Sequence, residues 1–175
     1  MREALQRLVA ERLLDMLPSR SIVVPGLSSD KFVELVRIRS ALEGLAAELA
    51  TPRFTPVHIE KLKNLLAEID QAIRKRDNKT YVSLNQKFHF SIYERAESPH
   101  LLRLIQDLWV QVGPFFNGLF DDEDFINHAN DQHVRIINAL EKGDRAAVRE
   151  YIVRDIAVAA DSLLPHLAEP FSERA

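Results

Sequence analysis

The chain has 175 residues, of which 46% are hydrophobic and none is cysteine, so it can bury one good core but forms no disulfide and no thiolate metal site. The formal net charge of −3 indicates no overall attraction to nucleic acid or to an anionic membrane. No apolar run approaches the roughly 20 residues of a membrane span, and the charged N-terminal segment is unlike a signal peptide, so we expect a cytoplasmic protein without membrane association.

The first 27 residues predict one helix and a small hairpin. Apolar residues recur at helical spacing over residues 2 to 14. Two short apolar runs then flank a turn signal at residues 18 to 21, which indicates a β-hairpin. Pro25 and Gly26 mark its end.

The remainder of the chain predicts six helices, because apolar residues recur at intervals of three and four between polar turns. The predicted helices cover residues 31–50, 56–76, 80–96, 99 onward with a kink at Gly113-Pro114, 121–141, and 144 to about 165. We therefore expect an all-α, antiparallel six-helix bundle over residues 28–168, followed by a loose tail over residues 169–175.

The helical pattern predicts buried, apolar residues at four positions that carry polar side chains instead. They are Asn85, His89, His133 and Asp155. Asn85 and His89 are four residues apart and share one helix face. Three helices would thus deliver two imidazoles, a carboxylate and an amide, a mixed set that suits Zn, Ni, Mn or Fe. A closed hydrogen-bond network among the same residues is the alternative.

Arg39 is a further charged residue on an apolar helix stripe. Glu43, one turn later, can hold it in an ordinary ion pair. The planar guanidinium is equally well shaped to bind a ligand carboxylate. The sequence leaves both interpretations open.

Three stretches resemble one family of sensor domains. They are VRIRSALEGLAAELA at residues 36–50, NQKFHFSIYERAESPHL at 85–101 and HVRIINALEKGDRAAVREYIVRD at 133–155. Together they resemble the C-terminal FCD sensor domain in the FadR-type branch of GntR transcription regulators, in its VanR-like six-helix subgroup. The resemblance spans nearly the whole chain and implies a ligand-responsive, DNA-binding regulator rather than an enzyme.

The resemblance also implies a metal site. Family members commonly hold a divalent ion with an Asp and a His four residues apart and with two later histidines. The matching positions here are Asn85, His89, His133 and Asp155, so the first and the last depart from the pattern. The two exchanges leave the total ligand charge unchanged, so a site with altered metal preference can survive.

The family's mode of action implies a small organic or sugar acid as effector, with Arg39 at a position that is frequently basic. Effector binding would then shift two DNA-binding heads in a homodimer and so alter contact with operator DNA.

The N-terminal stretch REALQRLVAERLLDMLPSRSIVVPGLS resembles the recognition helix and wing of the family's winged helix-turn-helix. Residues 1–27 would then be a partial head, with Arg2 as the remnant DNA contact, if a valine codon inside a longer gene was taken as the start. A recognition helix without its supporting helices lacks the core that positions it, so we expect this chain alone to bind DNA weakly.

Two other classes of protein share these features. A metal-dependent enzyme could activate water at the same ligands. A structural, dimerising bundle could satisfy the inward polar residues by hydrogen bonds alone.

Overall fold

The computed structural model describes residues 5, 6, 9, 15–17, 21–23 and 28–167, and the last of these segments folds into a helical bundle. Its helices are α1 (Ser29–Ala50), α2 (Pro56–Arg74), α3 (Asn78–Tyr93), α4 (Pro99–Val112), α5 (Glu123–His128), α6 (Asp131–Glu141) and α7 (Arg145–Leu163). Short 3-10 helices follow α1, α3, α4 and α7. Within the described segments no helix is both long and apolar enough to span a membrane.

Two short strands precede the bundle. β1 (Asp15–Met16) pairs antiparallel with β2 (Ile22–Val23), at the place where the sequence predicts a hairpin. Arg2, most of the predicted opening helix and the tail at residues 169–175 lie outside the described residues. The division of the chain at residue 27 stays a prediction.

Helix starts follow from local sequence. Pro56 and Pro99 open α2 and α4, where a missing backbone N–H costs nothing. Asp77 accepts the backbone N–H of Thr80 at 3.1 Å and so caps α3, and Asp144 caps α7 in the same way. The predicted starts at these prolines and at Asp144 agree with the observed ones.

The predicted fourth and fifth helices of the bundle differ from the observed ones. The predicted kink at Gly113-Pro114 is wrong, because α4 ends at Val112 and the chain continues as the 3-10 helix Gly113–Asp121; Pro114 has no N–H to extend the α-helical ladder. The predicted fifth helix is broken at residues 129–130, so α5 and α6 together occupy its place. The six-helix, all-α prediction is confirmed with this one element divided.

The core lies between α1 and α7 on one side and α2, α3 and α6 on the other. Gly44 allows α1 and α7 to approach closely, since a Cβ there would lie 3.2 Å from side-chain atoms of Arg149 and Val153. These five helices and α4 all contribute large apolar side chains to the core. Fully buried examples are Phe32, Ile69, Phe88, Ile105, Ile136 and Ile152. The close approach of α1 and α7 places Arg39 and Asp155 on adjoining helices.

Candidate metal centre

Three of the predicted ligands converge at one point in the bundle. His89 on α3, His133 on α6 and Asp155 on α7 present ligand atoms that all lie within 4.8 Å of one another. The His89 Nε2 atom lies 3.1 Å from Asp155 Oδ2, and the His133 Nε2 atom lies 3.6 Å from Asp155 Oδ1. The two Nε2 atoms are 3.3 Å apart.

Burial and neighbouring charges set the protonation of His133 and Asp155. His89 and His133 are each 1% exposed. Burial lowers the pKa of His133 to about 4, and the nearby His89 acts in the same direction. Burial alone would raise the pKa of the Asp155 carboxyl, but His133, His89 and Arg39 outweigh it and hold that pKa below its usual range. At neutral pH His133 is therefore neutral and Asp155 ionised.

Asn130, in the turn between α5 and α6, fixes the tautomer of His133. Its Nδ2 donates to Asp70 Oδ1 on α2, which leaves its Oδ1 to accept. The His133 Nδ1 atom lies 2.8 Å from that oxygen and must donate its proton there. The neutral ring therefore carries its free lone pair on Nε2, towards Asp155.

Tyr93 fixes the tautomer of His89 in the same manner. The Tyr93 hydroxyl donates to Glu43 Oε2 at 2.7 Å, so its oxygen is left to accept from His89 Nδ1 at 3.1 Å. Burial and the Glu43 carboxylate raise the pKa of Tyr93 far above its usual value, which keeps this proton on the hydroxyl. In the neutral His89 ring the lone pair is again on Nε2.

When both rings are neutral, the cluster therefore directs two nitrogen lone pairs and a carboxylate at one point. Electron pairs in this arrangement repel unless a proton or a cation lies among them. Ligands about 2.0 to 2.1 Å from one ion are separated by about 3.0 to 3.4 Å, for octahedral and tetrahedral geometry respectively. The observed separations are 3.3 Å between the two nitrogens and 3.1 and 3.6 Å from the nitrogens to the two different oxygens of Asp155. These values are close to that range, so the residues present fit a divalent metal ion.

A cavity of about 130 Å³ adjoins the cluster. Polar side chains make up one part of its wall and aromatic rings another. The polar lining residues are Arg39, Asn85, His89, His128, Asp131, Gln132 and Asp155, and the aromatic ones are Tyr81, Trp109, Phe116 and Phe125.

The other two predicted site residues also reach this cavity. Asn85 is half-buried and lines the wall one turn before His89, but it is not part of the three-residue cluster. The Arg39 guanidinium lies 4.8 Å from the Trp109 ring centroid, and its Nε contacts Glu43 Oε1 at 2.6 Å. The ion pair with Glu43 therefore forms, and the guanidinium still borders the cavity.

The residues that orient the two imidazoles were missed by the sequence analysis. Tyr93 follows His89 by four residues, so helical spacing could have identified it. The contact from Asn130 to Asp70 spans 60 residues and has no local signal. The sequence analysis did not single out Trp109 and Gln132, which also line the cavity.

Comparison with known proteins identifies one domain family and several transcription regulators that resemble this chain. Residues 34–157 match the FCD domain. The HTH-type transcriptional regulator McbR of Escherichia coli K12 is 32% identical over 164 residues, covering 90% of this chain and 74% of that protein. A probable D-xylose utilization operon repressor of Paenarthrobacter nicotinovorans is 28% identical, over 89% of this chain and 68% of its own length.

A solved structure agrees with these relatives. That of Escherichia coli McbR/YncC superimposes with a TM-score of 0.89 at 28% identity, covering 95% of this chain and 84% of the other. The bundle described above is therefore shared with a regulator of known structure.

Proposed function

Because the chain belongs to the FCD-domain regulators in the FadR-type branch of the GntR family, we propose that its bundle senses a small carboxylate effector, an organic or sugar acid, through a divalent metal ion. The relatives are named as transcription regulators, which argues against the metal-dependent enzyme. The metal and the effector class are what the proposal adds to the family assignment.

One observation carries the metal assignment. Hydrogen bonds to Asn130 and Tyr93 occupy the Nδ1 atoms of His133 and His89, so both Nε2 lone pairs face the Asp155 carboxylate. Metal-binding histidines are commonly oriented by such a second hydrogen bond. In a closed hydrogen-bond network, a proton on His89 Nε2 would instead be donated to Asp155 Oδ2, which lies 3.1 Å away.

A divalent ion at this point would act as a Lewis acid that binds a carboxylate oxygen at an open coordination position. Asn85 lines the cavity beside this position and can complete the ligand set with its amide oxygen. Arg39 borders the same cavity and can donate to the effector with the part of its guanidinium that Glu43 leaves free.

We further propose that effector binding reaches operator DNA through α1 in a homodimer. Arg39 and Glu43 lie on α1, and α1 begins six residues after β2. Arg39 is ten residues from the start of that helix, which corresponds to about 15 Å. We propose that α1 has two positions in the dimer. A ligand that binds more tightly to the protein in one of them would increase the population of that position.

Metal analysis tests the proposal. Protein purified without chelators should contain about one divalent ion per chain, and the double variant His89→Ala/His133→Ala should contain none. His100→Ala, an exposed histidine in the first turn of α4, is the matched control and should retain the metal. Unchanged metal content in the double variant would refute the site, and unaltered protein that contains no metal would favour the structural bundle.

Thermal unfolding with carboxylates tests the effector class. A ligand that binds only the native state raises the unfolding temperature by mass action. We expect small hydroxy acids to stabilise the metal-loaded chain and to lose this effect after chelation. Equal stabilisation with and without metal would contradict the metal-mediated mode.

A further inference from the structure

The side-chain amide of Asn130 lies between two groups with different requirements. Its Nδ2 atom lies 2.5 Å from Asp70 Oδ1 on α2, and its Oδ1 atom lies 2.8 Å from His133 Nδ1. A carboxylate only accepts hydrogen bonds, whereas a nitrogen of a neutral imidazole donates or accepts according to the tautomer. The orientation of the amide is therefore decided at Asp70 and not at His133.

Asp70 is well placed to hold this orientation. It is half-buried and follows the fully buried Ile69, which packs α2 into the core. Within the described residues Asp70 forms no ion pair, so its carboxylate is not committed to a cation there. Reversing the Asn130 amide would bring its oxygen against that carboxylate, where two acceptors repel. The amide therefore keeps its N–H groups towards α2.

The His133 ring cannot adapt by turning. It is 1% exposed, the Phe88 ring covers it at 4.4 Å between centroids, and the His89 ring lies 5.2 Å away on another side. The position of the ring proton is then what the amide controls. With the Asn130 oxygen at Nδ1, the proton lies on Nδ1 and the Nε2 lone pair is free.

A reversed amide would close the cluster. His133 Nδ1 would then accept from the Asn130 N–H, and the ring proton would move to Nε2. The Nε2 atom of His89 lies 3.3 Å from that position and could accept this proton. A protonated Nε2 has no lone pair for a metal ion. The direction of one amide thus decides whether the cluster binds a cation or bonds to itself.

We propose that Asp70 is a positioning residue of the candidate metal centre. Acting through Asn130, it keeps Nε2 of His133 unprotonated and available to a metal ion. This inference rests on the proposed metal site and extends it to α2, which carries none of the candidate ligands.

The other imidazole is held by a construction of the same kind. Glu43 Oε2 accepts from the Tyr93 hydroxyl, whose oxygen faces His89 Nδ1. In both cases a carboxylate fixes a neutral group that has a donor and an acceptor, and that group fixes a ring. Partners beyond the ligands commonly orient metal-binding histidines in this way.

Nitrogen-15 NMR of the imidazoles in the metal-free full chain tests the tautomer. At neutral pH the unaltered protein should carry the His133 proton on Nδ1. Asp70→Asn lets the Asn130 amide face either way, so about half of the molecules or more should carry the proton on Nε2. His133→Gln assigns the signal. Glu68→Gln removes an exposed carboxylate from the same helix and should leave the tautomer unchanged.

Competition titration with Zn²⁺ tests the consequence for metal binding. Asp70→Asn should bind Zn²⁺ about tenfold more weakly than the unaltered protein, and Glu68→Gln should bind it equally well. The double variant Asp70→Asn/Asn130→Asp exchanges the amide and the carboxylate, so that the group facing His133 Nδ1 can again only accept. It should restore the Nδ1 tautomer and bring the Zn²⁺ affinity to within about threefold of the unaltered protein.

The outcomes separate this inference from the proposed function. An unchanged tautomer in Asp70→Asn overturns the positioning role, whether or not Zn²⁺ affinity falls, and leaves the metal site standing. Failure of the unaltered protein to bind Zn²⁺, Ni²⁺ and Mn²⁺ overturns the proposed function and this inference with it. If Asp70→Asn does not fold, the exchanged double variant decides, because the Nε2 tautomer or a loss of Zn²⁺ binding in that variant overturns the role of Asp70.

Discussion

Two polar clusters lie side by side in this bundle and are satisfied in different ways. In the first, Arg39, Glu43 and Tyr93 combine a cation, a carboxylate and a hydroxyl that donates to that carboxylate. In the second, His89, His133 and Asp155 present only electron-pair donors to one another when both rings are neutral. The protein supplies the cation of the first cluster, and our proposal is that the second receives one from outside.

A single hydrogen bond joins the two clusters. Tyr93 donates to Glu43 and accepts from His89, so the closed cluster orients a ring of the open one. Closed buried networks stabilise the fold by their completeness. An open network keeps unpaired groups available for a ligand and lowers the stability of the fold, as binding sites commonly do. The two clusters should therefore differ in how much stability they lose when a carboxylate is removed.

Glu43→Gln should give the largest effect on stability. Glu43 is fully buried, and its loss leaves the buried Arg39 charge without a partner. We expect the free energy of unfolding to fall by about 3 to 5 kcal/mol, measured by urea denaturation. Glu48→Gln, which removes the partly exposed partner of Arg149, should cost less than about 1 kcal/mol. Similar losses in the two variants would mean that the Arg39 cluster is not closed.

Asp155→Asn should behave differently from Glu43→Gln. In metal-free protein it removes the carboxylate that His133, His89 and Arg39 stabilise, so we expect the free energy of unfolding to fall by about 1 to 2 kcal/mol, less than in Glu43→Gln. Metal at a hundredfold excess over its Kd should stabilise the unaltered protein by about 2.7 kcal/mol, and most of this gain should vanish in the variant. A metal-free destabilisation as large as that of Glu43→Gln would remove the distinction between the clusters.

The pH dependence of metal-free protein should reveal the open cluster. His133 has a pKa of about 4 in the folded state, below the usual histidine value. As the pH is lowered, the unfolded chain therefore binds this proton before the folded protein does. The free energy of unfolding should consequently decrease between about pH 6.5 and pH 4. The slope from this residue is at most about 1.4 kcal/mol per pH unit. Denaturation curves of His133→Gln should lack this component, and an unchanged slope would contradict the buried neutral ring.

Asn130→Ala should give the smallest of these effects. It leaves all three candidate ligands in place but removes the acceptor that orients His133. We expect about a tenfold loss of metal affinity by competition titration. Asn138 is an exposed asparagine on α6, the helix that carries His133, and Asn138→Ala should leave the metal affinity unchanged. Equal affinity in both variants would show that His133 needs no orientation.

Local sequence predicted the helices better than their interruptions. Pro56 and Asp144 define helix starts because backbone donors are lost or capped there, whatever the surrounding fold. The break before α6 coincides instead with a contact from Asn130 to Asp70 on another helix. A residue whose partner lies 60 positions away carries no signal in its own neighbourhood.

The same contrast holds for the candidate site, where some residues have a signal in the local sequence and others do not. His89, His133 and Asp155 stood out because polar residues on apolar stripes require partners, and the structure brings all three together. Trp109 and Gln132 did not stand out, because the unpaired atoms of their side chains, Trp109 Nε1 and Gln132 Oε1, become apparent only after every neighbour is placed. The roles of the three candidate ligands, and of Asn85 and Arg39, stay predictions.

Trp109 has a practical consequence, since it is the single tryptophan of the chain. Its indole lies 5.8 Å from the His89 ring and borders the cavity, so all tryptophan fluorescence of the protein arises beside the candidate site. A change in emission on adding an ion or an acid therefore reports on that site without a label and without background from other indoles.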